Sequence, residues 1–120
     1  MKHIHTSVKD YNNLSNMVDD LMKDIEARYN VDLFLYYSKS SDVIILSKIV
    51  LDKKNRGMGI GSKIMEEICN FADEHKLRIA LTPSSDFGGS KTRLVKFYKQ
   101  FDFKNYKGYE FRESMVRLPK

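Results

Sequence analysis

From position 13 to 29, apolar residues return every three or four places: Leu14, Met17, Val18, Leu21, Met22 and Ile25, with Asp and Lys between them. That spacing gathers them on one stripe of a helix. Residues 31–37 read as a strand and 38–42 as a tight connection. Residues 43–51 form a longer strand, apolar on both faces at its start, as a strand inside a sheet is. So short a connection makes the two strands antiparallel neighbours. A second helical stripe, Ile60, Ile64, Ile68, Phe71 and Ala72, runs opposite Glu66, Glu67, Asp73 and Glu74 and predicts a helix over 60–76. A short strand follows at 78–82, closed by Pro83, and then a polar loop over 84–89. Ser90 is placed to cap a helix reaching about position 100. Residues 103–106 and 109–118 complete the pattern as a pair of strands around Gly108, and residues 1–11 are read as a short first strand. The order is β-α-β-β-α-β-α-β-β, an α/β (α+β) fold with a mixed sheet and helices on its faces.

The chain has 120 residues, which makes a single domain spanning 1–120. No window reaches the length of a membrane span, and the N-terminal residues lack the apolar core of a signal peptide. With one cysteine, Cys69, no internal disulfide forms, and a cytoplasmic location is the default expectation. Cys69 lies beside core positions of the second helix and reads as an inert thiol. The net charge of +5 comes from scattered lysines, with Lys53 and Lys54 near position 56 and Lys91, Arg93, Lys96 and Lys99 in the third helix. Most belong to a solvated surface; a polyanionic ligand or nucleic acid would account for others.

The chemistry concentrates in Arg56, Gly57, Met58, Gly59, Ile60 and Gly61, directly after the apolar strand. Glycines at a strand-to-helix turn let backbone approach a ligand closely. The helix start adds unpaired N–H groups and its positive dipole end, and together these cradle a phosphate or pyrophosphate. Spacing separates the known phosphate motifs. A dinucleotide fingerprint needs a third glycine where Ser62 stands. Gly88, Gly89, Ser90, Lys91 and Thr92 fail as a P-loop because Ser90 precedes the lysine. Asp86, Phe87 and Gly88 match a kinase tripeptide without the rest of that set. What remains is Arg56-x-x-Gly59-x-Gly61.

That pattern resembles the pyrophosphate-binding turn of the GNAT acyl-CoA N-acetyltransferases. Residues 97–103, from Phe97 and Tyr98 to Phe103, are similar to the family's helix-end signature, with Asp102 where the family usually has Gly. Asp tolerates the left-handed conformation such a cap needs. The resemblance covers about residues 43–118 and implies an N-terminally abbreviated GNAT fold. The wording from Leu81 to Lys91 resembles a small subgroup common in phage and bacterial genomes.

The resemblance implies acetyl-CoA as co-substrate and no metal. Backbone amides of Gly57, Met58, Gly59, Ile60, Gly61 and Ser62, with Arg56, would hold the pyrophosphate. Backbone of Ile49, Val50 and Leu51 would pair with the pantetheine arm, an amide near Leu51 polarising the thioester carbonyl. Tyr98 matches the tyrosine that protonates the departing thiolate, a role a phenol suits because its pKa is near a thiol's. Lys91 stands where the family often has Asn and can reach a phosphate instead. No general base is identifiable: Asp86 and Glu110 read as surface carboxylates, and His3 with His5 makes a poor metal site.

The implied activity is acetyl transfer to a primary amine by direct attack in a ternary complex. The acceptor is open, with a protein lysine or N-terminus favoured, and a partner subunit in a homodimer could complete the site. Two alternatives stand beside it. One is a coenzyme A-binding module of the same fold without catalysis. The other is a small basic nucleic-acid-binding domain, ranked last because the aromatics of 33–37 have no flanking basic residue before Lys39.

Overall fold

The computed structural model describes residues 11–84 and 90–120. The expected first strand, His3, His5 and Asp86 lie outside them, except that Tyr11 opens a helix. In chain order the elements are α1 (Tyr11–Tyr29), β1 (Val31–Ser38), β2 (Val43–Leu51), α2 (Ile60–Glu74), β3 (Arg78–Leu81), α3 (Lys91–Lys99), β4 (Lys104–Asn105) and β5 (Met115–Arg117). They build a mixed five-stranded sheet in the order β1-β2-β3-β5-β4. β2 runs antiparallel to β1 and parallel to β3, which pairs antiparallel with β5.

The apolar stripes of the helices decide where the core sits. Val18, Ile25, Ile64, Ile68, Ala72 and Tyr98 share one core with alternate residues of the strands, Leu33 and Leu35, Ile44 and Leu46, Ile79 and Leu81. Side chains alternate across a strand, so the described helices lie on one face of the sheet. The other face buries Val43, Ile45 and Ala80 under Phe111 of the β4–β5 loop. The outer edge of β1 is covered by α1: the amides of Leu33 and Leu35 donate to Glu26 Oε2 (3.2 Å) and Met22 Sδ (3.4 Å). That blunts an edge that would otherwise invite pairing.

Three boundaries differ from expectation. α2 stops at Glu74 because Lys76 turns left-handed (φ 57°), and Leu77 N–H closes the end on the Ala72 carbonyl at 2.8 Å. The last two strands shrink to β4 and β5, and 106–114 is a loop. Its groups are spent otherwise: Glu110 N–H donates to the Tyr106 hydroxyl (3.1 Å), and Phe111 stacks on Tyr106 at 4.1 Å. A short 3-10 turn, Lys53–Asn55, which periodicity had not revealed, leads into the glycines.

The third helix starts where Ser90 was expected to cap it, its Oγ accepting from Arg93 N–H at 3.1 Å. Past its last residue, Lys99, the chain turns left-handed at Asp102 with φ 71°, the conformation anticipated for the residue in glycine's place.

Candidate functional site

The site follows from a mismatch in pairing. β2 pairs with β3 only from Val43 to Leu46, opposite Arg78 to Leu81. Past Leu46 it continues against β1 alone. The β1–β2 register skips Ser47, since Phe34 faces Lys48 while Leu35 faces Leu46. An extra residue bends and twists a strand, so β2 leaves β3 at Ser47. One backbone edge of residues 47–51 therefore faces a gap.

The gap is a cleft of about 560 Å³. One wall is β2, including Ile49, Val50 and Leu51. One end is the glycine turn, where Arg56, Gly57, Gly59, Gly61 and Ser62 line it. Leu81, Thr82 and Ser84 border the β3 side, and α3 contributes Arg93, Leu94, Phe97 and Tyr98.

Gly57 and Gly59 have φ of 79° and 76°, and a β-carbon at either would meet open space. Glycine is needed there for the backbone angle, not for lack of room. At Gly61 a β-carbon would stand 3.6 Å from both Leu51 Cδ1 and Phe97 Cζ, ordinary van der Waals contact, which places the start of α2 against both cleft walls. The first intrahelical bond runs from Lys63 N–H to the Gly59 carbonyl at 3.1 Å, and no side chain caps this end. The amides before Lys63 thus have no carbonyl within the helix. Arg56 Nε donates to the Leu51 carbonyl at 3.3 Å, which folds the guanidinium back along the turn.

Tyr98 is 6% exposed. Its ring packs edge-on against Phe97 and Phe103, with centroids 5.3 and 5.7 Å away. Its hydroxyl hydrogen-bonds to no described residue, yet the only fully enclosed, unpartnered side-chain polar atom among them is His75 Nε2. Burial pushes the phenol pKa up to about 12, so the group is protonated throughout the physiological range.

Of the residues expected at a coenzyme, Met58 and Ile60, expected there through their amides, and Lys91 bring no side chain to the cleft wall. Met58, between two left-handed glycines, projects outward and is 66% exposed. The Ile60 side chain turns into the core. Lys91 sits exposed at the first position of α3, outside the wall. Arg93 supplies a cation from that helix instead, one turn before Phe97. Helical spacing back from Tyr98 and Phe97 would have found Leu94 and Arg93; the bulge at Ser47 left no such signal.

Glu110 is excluded from the cleft wall. It pairs with Arg78 Nη2 at 3.0 Å, and that guanidinium holds its carboxyl below the usual carboxylate range. Cys69 is buried in α2, burial raises its thiol to about 11, and it does not line the cleft. Among the described residues, no three His, Cys, Asp or Glu side chains gather as metal ligands. None of the described helices is long and apolar enough to cross a membrane.

Comparison with known proteins gives three findings. A family model described as "Acetyltransferase (GNAT) domain" matches residues 24–105. A search of functionally curated proteins finds no match. Among solved structures the chain resembles the crystal structure of the anti-CRISPR protein AcrVA5, with a TM-score of 0.56 and 22% identity, over 72% of this chain and 87% of that one. At that identity the likeness speaks for the fold alone. The family match takes in β2, the glycine turn, α2 and all of α3, so the elements that enclose the cleft lie within it. The chain belongs to the GNAT acetyltransferase family.

Proposed function

We propose that this protein moves an acetyl group from acetyl-CoA to a primary amine by direct attack within a ternary complex. The observation that carries this reading is the cleft where β2 parts from β3, ended by the glycine turn and floored by Tyr98. The open backbone edge of Ile49, Val50 and Leu51 suits the amide-bearing pantetheine arm, which can pair with it as a further strand would. The amides from Gly57 to Ser62 and the Arg56 and Arg93 guanidiniums suit the pyrophosphate. The fit is supported by the empty space over Gly57 and Gly59, which any β-carbon would occupy.

Acetyl-CoA, when bound, supplies the acetyl group as an activated thioester. The chain's own part is to orient and to move protons. Amides of β2, near Leu51 and at the bulged Ser47, are suited as donors for negative charge developing on the carbonyl oxygen. Tyr98 Oη holds the proton that the departing thiolate needs, and its buried ring fixes where that proton is offered.

The test begins with binding. A ligand that binds only the folded state raises the melting temperature by mass action, roughly 10 °C at a hundredfold excess over Kd for a chain of this size. We expect such a shift with acetyl-CoA and its loss in Gly59→Leu, with circular dichroism unchanged in form. No shift in the unaltered protein sinks the proposal. Binding without transfer to any amine would leave the coenzyme-binding module as the better reading.

A further inference from the structure

On the sheet face that carries no described helix, β1 presents two aromatic side chains between Asp32 and Ser38. Phe34 is 49% and Tyr36 41% exposed, and their rings lie 5.4 Å apart. On the same face, toward the centre of the sheet, Phe111 covers Val43, Ile45 and Ala80 and stacks on Tyr106. The loop that carries Phe111 is tied down at several points. Tyr106 N–H donates to the Ser114 carbonyl (2.8 Å), Ser41 Oγ to the Glu110 carbonyl (2.6 Å), and Arg78 both pairs with Glu110 and lies over the Phe111 ring. A β-carbon on Gly108 would stand 2.3 Å from the Tyr106 hydroxyl, so glycine is what lets that ring pack there. This well-anchored loop nevertheless leaves Tyr109 wholly exposed.

Charge on this face is one-sided. Asp32 is paired with Lys48 at 2.9 Å and Glu110 with Arg78. Lys107 and Arg112, near Tyr109 in the loop, and Lys104 on β4 are exposed and belong to no ion pair among the described residues. Glu113 is the one acid of the loop without such a partner, so cations prevail. Scattered exposed aromatics are ordinary. Phe34 and Tyr36 in contact on β1, with Tyr109 exposed on an anchored loop that carries cations in excess, have the composition of an interface centre with a charged rim.

The loop also reaches the cleft: Ser114 N–H donates to Thr82 Oγ1 at 3.1 Å, and Thr82 lines the cleft. From Thr82 back to Arg78, where Glu110 is held, β3 spans roughly 13 Å at about 3.3 Å per residue. A chain lying across Tyr109, Phe34 and Tyr36 can therefore continue over the edge of the sheet toward the cleft.

We infer that this face is a docking surface for an acidic polypeptide segment, with Tyr109, Tyr36 and Phe34 as apolar anchors and Lys107 and Arg112 as the charge that selects it. The inference rests on the proposed acetyl transfer only in naming the segment as part of the protein that bears the acceptor amine. Docking outside the cleft leaves the amine free to enter it.

The test separates the two readings. Fluorescence anisotropy of the full chain is followed with three labelled probes. These are a peptide with one lysine among Asp and Glu, its Asn/Gln counterpart, and a single-stranded RNA of matching charge. The acidic peptide should bind about tenfold more tightly than its neutral counterpart, and less so as salt rises. Tyr109→Ser and the Lys107→Glu/Arg112→Glu pair should each weaken it about tenfold. The acetyl-CoA thermal shift should be unchanged in every variant, which verifies folding and reads the cleft independently. Equal affinity for the acidic and neutral peptides overturns the inference, as does indifference to the variants. So does tighter binding of the RNA through the same residues, or a wild-type dimer that Tyr36→Ser takes apart.

Discussion

Tyr98 combines two demands on a single side chain: its ring completes the aromatic packing around Phe97 and Phe103, while its hydroxyl has no hydrogen-bond partner among the described residues. Tyr98→Phe keeps the ring and removes only the proton donor. Turnover should then fall by about 10²–10⁴-fold, the usual worth of a positioned acid, while acetyl-CoA affinity is retained. Steady-state kinetics paired with a binding titration checks this, and unchanged turnover removes Tyr98 from the chemistry. Cys69 presents the opposite case, a reactive residue type made inert by burial. In the native protein it should resist thiol reagents that modify it after unfolding. Cys69→Ala should cost about 1 kcal/mol, the scale of a small cavity, and leave acetyl-CoA binding intact. Rapid native labelling would contradict the burial.

At the scale of elements, the ends of α2 are set by backbone conformation more than by capping side chains. Its start depends on left-handed Gly57 and Gly59, and its finish on left-handed Lys76. Only the finish uses a residue poorly suited to that conformation, which costs an L-residue about 1–2 kcal/mol. Lys76→Gly should therefore stabilise the protein by roughly 1 kcal/mol, less the extra entropy glycine loses on folding. Urea denaturation measures it, and a lower midpoint would show that the lysine side chain matters more than the backbone. The stripe of α2 was plain in the sequence. Its exact end was not, because no Gly, Asn or nearby Pro follows the stripe to mark the stop.

At the scale of the molecule, the ionisable groups bracket a window of stability. Arg117, 4% exposed, makes two charge-assisted hydrogen bonds to Asp73, at 2.8 and 3.0 Å, and holds that carboxyl below its ordinary 3.8. Arg28 does the same for Glu67, below 4.5, joining α1 to α2. A carboxylate whose pKa is lowered by folding stabilises above its unfolded value, and that contribution is lost as pH falls through the folded one. Cys69 and Tyr98 are raised by burial, from 9.0 to about 11 and from 10.0 to about 12. Folding then favours their protonated forms, and the contribution fades as pH climbs from the unfolded value through the folded one. Melting temperature should thus be flat from about pH 5 to 9, fall in acid below about pH 4.5, and fall again in alkali above about pH 9. A steady slope across the neutral range would contradict this assignment.

The linear pattern determined what depends on local rules. Apolar spacing located α1, α2 and β2, the polar cap Ser90 marked α3, and Arg56-x-x-Gly59-x-Gly61 with Tyr98 singled out the elements that enclose the cleft. Each is written in neighbouring residues, where helix or strand periodicity and positive-φ turns leave their mark. Tertiary structure decided the rest. The bulge at Ser47 arises from how β1 and β2 register, so β2 alone does not encode it. Arg93 enters the cleft and Lys91 does not because α3 is docked by Tyr98 and Phe97 at its far end. Glu110 was spoken for by Arg78, 32 residues away. The strand expected over 109–118 shrank to β5, its first residues forming a loop in which Phe111 packs on the sheet face and Glu110 pairs with Arg78. Pairing, docking and long-range ion pairs are choices among partners distant along the chain, and only the folded molecule holds those partners together.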